Sequence, residues 1–415
     1  MSDIILSEKE IKSKRIAYLV FGTITLLVLG LIYAWSIFAR PLQAAFQWDP
    51  TQLSLVFQIS MVAFTLSALG GAQLIKKTSA KLAIIASAVL LAAGFVLTAL
   101  FASMGIWSLY VFYGVLAGAG CGIGYNAIIS LVSPWFPDAV GLCSGVLMMG
   151  FGLGSLVLGT LANQMISSLT WAPVFMIIAV TGAVVLVACA LLVKPAPKNI
   201  SDLAPQAAAA ASKLDEDQNM LKTPVFYFYS IWATAVIACG MTLIGSASQG
   251  AVAVGVDEGF AVLLVGLVST MNGVARVVNG FIFDRLGLVF VMLLGAVVAI
   301  ACSAGLSFSF ITQSPTAYIV AGISIAFAYG GVPVMASAFA RQRFGAKNFA
   351  KNLGITNLNI ATGAFLSSAV VAIARSVSGD AAIYGVLAVL GIVSVVGAVA
   401  FSGAYKRDLK KIQEG

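Results

Sequence analysis

The sequence contains no histidine, which excludes His-based metal sites, imidazole proton relays and Ser-His triads together. Charge is scarce as well: only 9% of the residues are charged, where soluble domains carry about 25%. The 15 acidic residues all fall in tails or loops, outside the long apolar runs. No carboxylate is therefore placed to relay a proton inside those runs. The five cysteines (Cys121, Cys143, Cys189, Cys239 and Cys302) stand singly, without the spacing of zinc or redox motifs. Packing is their expected role. No nucleophile stands beside a base, and GFGLG at 150–154 lies inside an apolar run rather than between a strand and a helix. No cofactor is expected, and a membrane enzyme or a sensor is the weaker class of function.

What the sequence has instead is apolar length. Hydrophobic residues make up 60% of the 415, and the mean hydropathy is +1.03. Runs of ~20 apolar residues recur along the chain, which predicts an all-α membrane protein. Twelve spans are read, at about 16–40, 51–75, 80–101, 106–133, 139–165, 170–193, 224–250, 259–283, 288–309, 315–340, 349–374 and 380–404. The stretch 194–223 carries prolines, an alanine run and charges of both signs, and is the one long linker. It separates an N-terminal six-helix half, 1–193, from a C-terminal six-helix half, 224–415.

Of the 23 lysines and arginines, all but Arg40, Arg276 and Arg375 fall on one side of this pattern. The asymmetry places both termini and the linker in the cytoplasm, as expected for a plasma-membrane protein. The net charge of +8 is then a matter of topology, and no nucleic acid partner is expected. The charged N-terminal segment is too long for a signal n-region, so no cleavage is expected. The halves also repeat: Gly71 and Gly280 open corresponding loops 209 positions apart, and Phe136 and Phe344 lie 208 apart. Two parallel repeats around a central cavity are the plan of an alternating-access transporter. Small residues four apart (Gly118/Gly122, Gly141/Gly145, Gly150/Gly154) are close-packing devices.

Arg276 is the one basic residue placed within a span. An intramembrane guanidinium is costly and faces a polar cavity or a partner. Asn272 and Asn279 share its helical face, and no carboxylate lies three or four residues away. This predicts an anion brought from outside the protein, held by a fork that binds both oxygens of a carboxylate. The plainer reading is a structural arginine bonded to backbone carbonyls at a helix kink. Asn272 either holds the guanidinium, donates to substrate or makes a helix-packing bond. Asn357 and Asn359 cannot share a face, so at most one reaches a cavity, and a bond to a neighbouring helix is the favoured reading of either.

Gly280-Phe-Ile-Phe-Asp284-Arg285-Leu-Gly287 resembles the loop motif of the major facilitator superfamily. The resemblance implies a major facilitator fold, and a conformational role for Gly280, Asp284, Arg285 and Gly287 as a latch between neighbouring helices. The first-half counterpart, GAQLIKKTSAK from Gly71, keeps Lys76 and Lys77 but has Ile75 in place of the acid. Tyr33-Ala-Trp35-Ser-Ile-Phe38, with Pro41-Leu42, resembles the oxalate/formate antiporter family, as does the block from Gly118 to Gly154 containing Trp135-Phe-Pro-Asp138. The stretch from Asn272 to Asp284 is similar both to that family and to the broader monocarboxylate transporters.

By this resemblance Arg276 takes the position of the family's substrate-binding arginine, and Tyr125 and Tyr329 line the cavity. Tyr33 is placed beside them or at the membrane interface. Two departures narrow the expectation. Ile360 stands where the oxalate exchanger carries a second cation, and Asn272 stands where animal-type carriers commonly carry an aspartate used in proton coupling. One cation suits one carboxylate. The expected function is secondary active transport of a small monocarboxylate of the lactate, pyruvate or formate kind, by exchange or with a co-transported proton. The alternative cargo is another organic anion: oxalate, a sulfonate or a larger acid. A monomer in the lipid bilayer is expected.

Overall fold

The computed structural model describes residues 6–197, 199–200, 218–378 and 380–414. The middle of the 194–223 linker, with Lys198 and Lys213, lies outside the described residues, as does the side chain of Arg375. Among the described residues the long elements are all helices. They are α1 (Glu8–Leu29), α2 (Trp35–Phe46), α3 (Pro50–Lys77), α4 (Ala80–Phe101), α5 (Ile106–Leu109), α6 (Gly118–Val132), α7 (Val140–Gly154), α8 (Thr160–Leu169), α9 (Trp171–Leu192), α10 (Pro224–Ala253), α11 (Glu258–Thr312), α12 (Pro315–Phe344), α13 (Phe349–Ser378) and α14 (Asp380–Glu414). A 3-10 turn at Gly30–Ala34 joins α1 to α2, and π-helical stretches at Tyr110–Ala117 and Ser155–Gly159 join α5 to α6 and α7 to α8.

Eleven of the described helical runs are long and apolar enough to cross a membrane. One of them, Gly259–Thr312, is 54 residues long, about 80 Å at the helical rise and more than twice a ~30 Å hydrocarbon core. It bends at Gly287, whose φ of 79° and ψ of 173° are non-helical. A positive φ of that kind is open to glycine at little cost and strained for other residues. The two arms of α11 thus supply the eighth and ninth spans, and the last glycine of the Asp-Arg motif makes the corner.

The chain forms two compact units. One comprises the described residues within Met1–Asp138, Val146–Ala208 and Phe349–Ile355; the other, those within Ala139–Gly145, Ala209–Asn348 and Thr356–Gly415. Each unit therefore includes the opening turns of one helix from the other end of the sequence. In the first unit α4 lies against α9 and α6, and α3 lies against α6. Helix α9 shows why such helices suit lipid. Val180, Val184, Val187 and Leu191 form one exposed apolar stripe, while Ile178, Ala179, Gly182, Leu186 and Cys189 are buried on the other side. With both faces apolar, shape and small residues decide which side packs inward.

Aromatic rings fill the first unit's core: Phe38 meets Phe175 at 5.0 Å and Trp35 meets Tyr113 at 4.5 Å. Their polar atoms are satisfied, since the Trp35 indole donates to the Leu53 carbonyl and the Tyr113 hydroxyl to that of Ile32. In the second unit α11 packs on α12 and α14, and α10 on α14. There Tyr229 stacks on Phe339 at 4.6 Å and the Trp232 indole donates to the Met292 carbonyl. All five cysteines are buried.

Phe136 and Phe344 each lie beside an arginine paired with a carboxylate, although those pairs are not themselves 208 positions apart. Arg15 pairs with Asp138 at 2.5 Å and lies 4.5 Å from the Phe136 ring. Arg343 donates from Nε and Nη2 to Asp408 Oδ2, at 2.8 and 2.6 Å, and lies 5.0 Å from the Phe344 ring. Arg343 is only 2% exposed, so Arg276 is not the one basic residue buried in a long helix. Helix α12 runs four residues beyond the expected span end at 340 and carries Arg343 into the packed interior.

Removing one partner of a buried pair leaves the other charge uncompensated, at a cost of about 3 kcal/mol. Asp408→Ala is therefore expected to lower the thermal unfolding midpoint of detergent-solubilised protein, read by tryptophan fluorescence. The double variant Arg343→Leu/Asp408→Leu should recover much of the loss.

Candidate functional site

Helix α11 is unbroken through Arg276, since Gly287 is its one non-helical residue among those described. The kink required by the plainer reading of Arg276 is absent from this position. Asn272, Arg276 and Asn279 fall at i, i+4 and i+7, on one face, and all three are buried. Arg276 is 7% exposed, and its Nε donates to Asn272 Oδ1 at 3.3 Å. Asn272 thus orients the guanidinium. Asn279 does other work: its Nδ2 donates to the carbonyls of Ala275, at 2.8 Å, and Phe327, at 3.3 Å, tying α11 to α12.

Helix α12 brings Tyr329 to the same place. Tyr329 is buried, packs over Gly240 of α10 and lies within electrostatic reach of Arg276. The next residue, Gly330, sits against the α11 backbone, where a Cβ would lie 2.5 Å from the Asn272 carbonyl oxygen. On another side of α11, a Cβ at Gly145 of α7 would lie 2.4 Å from the Arg276 carbonyl oxygen. Neither position has room for a side chain. Beside them the Ser144 and Ser337 hydroxyls share a buried hydrogen bond of 2.8 Å. The turn carrying Arg276 is thereby gripped by α7 and α12 at once. The guanidinium fork is of a shape to take both oxygens of a carboxylate, with Asn272 setting its plane.

Tyr33 and Tyr125 belong to the first unit, and an unforeseen ring joins them. Phe151 lies 5.3 Å from Tyr33 and 4.9 Å from Tyr125. Phe64 adds contacts of 5.4 Å to Tyr125 and 5.6 Å to Phe151, and Phe57 lies 6.4 Å from Tyr33. Tyr33 is carried on the Gly30–Ala34 3-10 turn, beside the π-helical stretch that follows Phe151. Sequence reading missed Phe57, Phe64 and Phe151 because a phenylalanine in an apolar run carries no distinguishing signal. The one available hint was that Phe151 falls inside the Gly118–Gly154 block.

The motif residues form a second constellation, within the other unit. Asp284 accepts from the backbone N–H groups of Gly141, at 2.8 Å, and Leu142, at 2.7 Å, and so caps the N-terminus of α7. A carboxylate there also meets the positive end of the helix dipole. Gly280 and Gly141 cross backbone to backbone: a Cβ on either would lie within 2.4 Å of the other's carbonyl oxygen. Arg285 stacks its guanidinium 4.4 Å from the Phe281 ring. The spacing of the motif is explained by this crossing, the cap one turn later and the corner at Gly287.

On α13, Asn357 and Asn359 are both buried, and Ile360 is half-buried. The favoured bond to a neighbouring helix is not found for Asn357. Among the described residues neither of its amide atoms has a hydrogen-bond partner, and Asn359 Nδ2 has none either.

The profile of the Major Facilitator Superfamily matches residues 18–368. The chain is 27% identical over 347 residues to the uncharacterized MFS-type transporter YhjX of Escherichia coli (strain K12), covering 82% of this chain and 84% of that one. It is 25% identical over 272 residues to the oxalate:formate antiporter of Oxalobacter formigenes, covering 65% of this chain and 63% of that one. It is 21% identical over 366 residues to monocarboxylate transporter 13 of Bos taurus, covering 85% and 81%. Among solved structures, the proton:xylose symporter XylE superposes with a TM-score of 0.73 at 13% identity, over 93% of this chain and 95% of that one.

Asp284→Ala removes the α7 cap, a loss of about 1–2 kcal/mol at that helix end. Since the native cysteines are buried, a Leu142→Cys reporter should then react with a maleimide on the order of tenfold faster than in the Asp284 background, as a loss of that size implies.

Proposed function

The chain belongs to the Major Facilitator Superfamily and is a membrane transporter rather than an enzyme, and on that premise we propose that it carries a small monocarboxylate anion by alternating access. The observation that carries the reading is Arg276: a guanidinium buried in an apolar helix, oriented by Asn272 and within electrostatic reach of Tyr329. A group that costs so much to place there is retained where it does work. The relatives add weight, since two are named for carboxylate cargo. One guanidinium matches one carboxylate, and Ile360 supplies no second cation for a dianion. In this reading the Tyr329 ring is a wall against a short carbon chain and limits its size, and Tyr33 and Tyr125 keep the substrate-binding role that the resemblance implies.

The coupling follows from what surrounds the arginine. Asn272 cannot take up a proton, so a symported proton travels on the substrate carboxylate or a tyrosine hydroxyl; otherwise a second anion returns in exchange. Asp284, with Gly280, Arg285 and Gly287, acts as a conformational latch on α7, made in one state and released in the other. The basic residues place both termini and the linker in the cytoplasm, with the protein in the cytoplasmic membrane as a monomer.

Arg276→Ala should insert and fold yet reduce uptake of labelled lactate into liposomes by ~100-fold or more, as truncating one side of a buried charge pair does. Arg276→Lys should recover only a fraction, because an ammonium cannot bind both oxygens. Normal uptake by Arg276→Ala overturns the reading. Uptake of an anion panel with and without a pH gradient, and with and without internal anion, separates exchange from symport. A sulfonate or larger acid that is carried while every short carboxylate is refused marks the alternative cargo.

A further inference from the structure

Asn357 has an amide without a counterpart among the described residues. It is 1% exposed, and both Nδ2 and Oδ1 lack a hydrogen-bond partner among the described residues. A buried amide is nearly always hydrogen-bonded, because desolvating it unpaired is expensive. Several polar groups on either side of it along α13 do find partners. One and two turns earlier on the same helical stripe, Gly354 packs against Leu69 and Asn126, and the Ala350 carbonyl accepts from Asn126 Nδ2 at 2.8 Å. Further on, Thr362 and Ser367 pair with Thr234 and Thr242 of α10, at 3.0 and 2.8 Å. Asn359 Nδ2 likewise has no partner among the described residues, and Gly363, one turn on from it, closes against Ile237 of α10.

We propose that Asn357 is a specificity-determining residue, whose amide reads a second polar group on the substrate, beside the carboxylate. The inference rests on the reading of Arg276 as the carboxylate clamp. An amide with a donor and an acceptor both open matches a hydroxyl, which accepts and donates at a single oxygen. A ketone uses the donor half alone, and an unsubstituted carbon chain uses neither. The preferred class is therefore a short 2-hydroxy monocarboxylate, ahead of the 2-oxo acid and then the unsubstituted acid. A site built around a hydrogen bond rejects an analogue lacking the group, because the site's own polar atoms are then left unpaired.

The test is uptake of lactate, pyruvate and propionate by purified protein in liposomes, with wild type, Asn357→Leu, Asn357→Ala and Arg276→Ala. Wild type should show a KM for lactate about tenfold below that for propionate, with pyruvate between, as one such hydrogen bond implies. In Asn357→Leu that ratio should collapse towards one while the thermal midpoint holds or rises, because an unpaired amide has been replaced by an apolar group of similar size. Asn357→Ala, which adds no branching, should collapse the ratio too. An unaltered ratio in both variants overturns the proposal, as does a fall in midpoint with lactate and propionate affected alike, which marks a packing role. If Arg276→Ala abolishes uptake while the Asn357 variants keep the ratio, the clamp stands and the role of Asn357 falls. Uptake by Arg276→Ala, or refusal of all three acids by wild type, overturns the clamp and this inference together.

Discussion

Burying a guanidinium within an apolar span costs on the order of 3 kcal/mol or more, and the surroundings of Arg276 are organised against that cost. Asn272, one turn back, meets the guanidinium with its amide oxygen. Tyr329 contributes a polarizable ring and a hydroxyl within electrostatic reach. The backbone of the same turn is held by Gly330 on one side and Gly145 on another, each so close that a methyl group would collide with a carbonyl oxygen. The side chain is thus presented from a rigid turn, as a binding group must be if its geometry is to select one ligand. Arg343, another deeply buried guanidinium, is paired with the Asp408 carboxylate at 2.6 Å.

Membrane burial also changes what packing means. Lipid offers apolar surface as good as any side chain, so leucines and valines gain little by facing inward. Helix α9 turns its valine stripe outward and its alanine and glycine inward. Close crossings then fall where two glycines meet, as at Gly141 and Gly280. Such a crossing brings the α7 N-terminus within reach of Asp284, and a single carboxylate satisfies two of the N–H groups that a helix end leaves open. That contact is local, charged and reversible, which suits a latch between two states of a carrier.

Much of this was legible in the chain itself. The twelve spans follow from apolar length, and the Gly-x3-Asp-Arg motif proved to contain a crossing, a cap and a corner, each at the residue whose type requires it. Arg276 stood out because a cation in a span is rare enough to be a signal. Other features carried no such mark. Phe57, Phe64 and Phe151 are ordinary in apolar runs, and only their meeting with Tyr33 and Tyr125 distinguishes them. Arg343 reads as a loop residue because it lies beyond the apolar run, yet α12 extends past that run and buries it.

By itself the sequence determined the class of protein, its all-helical membrane fold and the position of the intramembrane charge at Arg276. Those properties depend on hydropathy summed over ~20 residues and on single costly residues, and both are local quantities. Only the tertiary structure decided which polar groups find partners. Asn272 and Asn279 share one helical face, but one orients a guanidinium while the other bonds two carbonyls. Asn357, alike in kind, bonds nothing among the described residues. An asparagine's role is set by what the neighbouring helices bring within about 3 Å of it, and that distance is a property of packing between segments far apart in the chain.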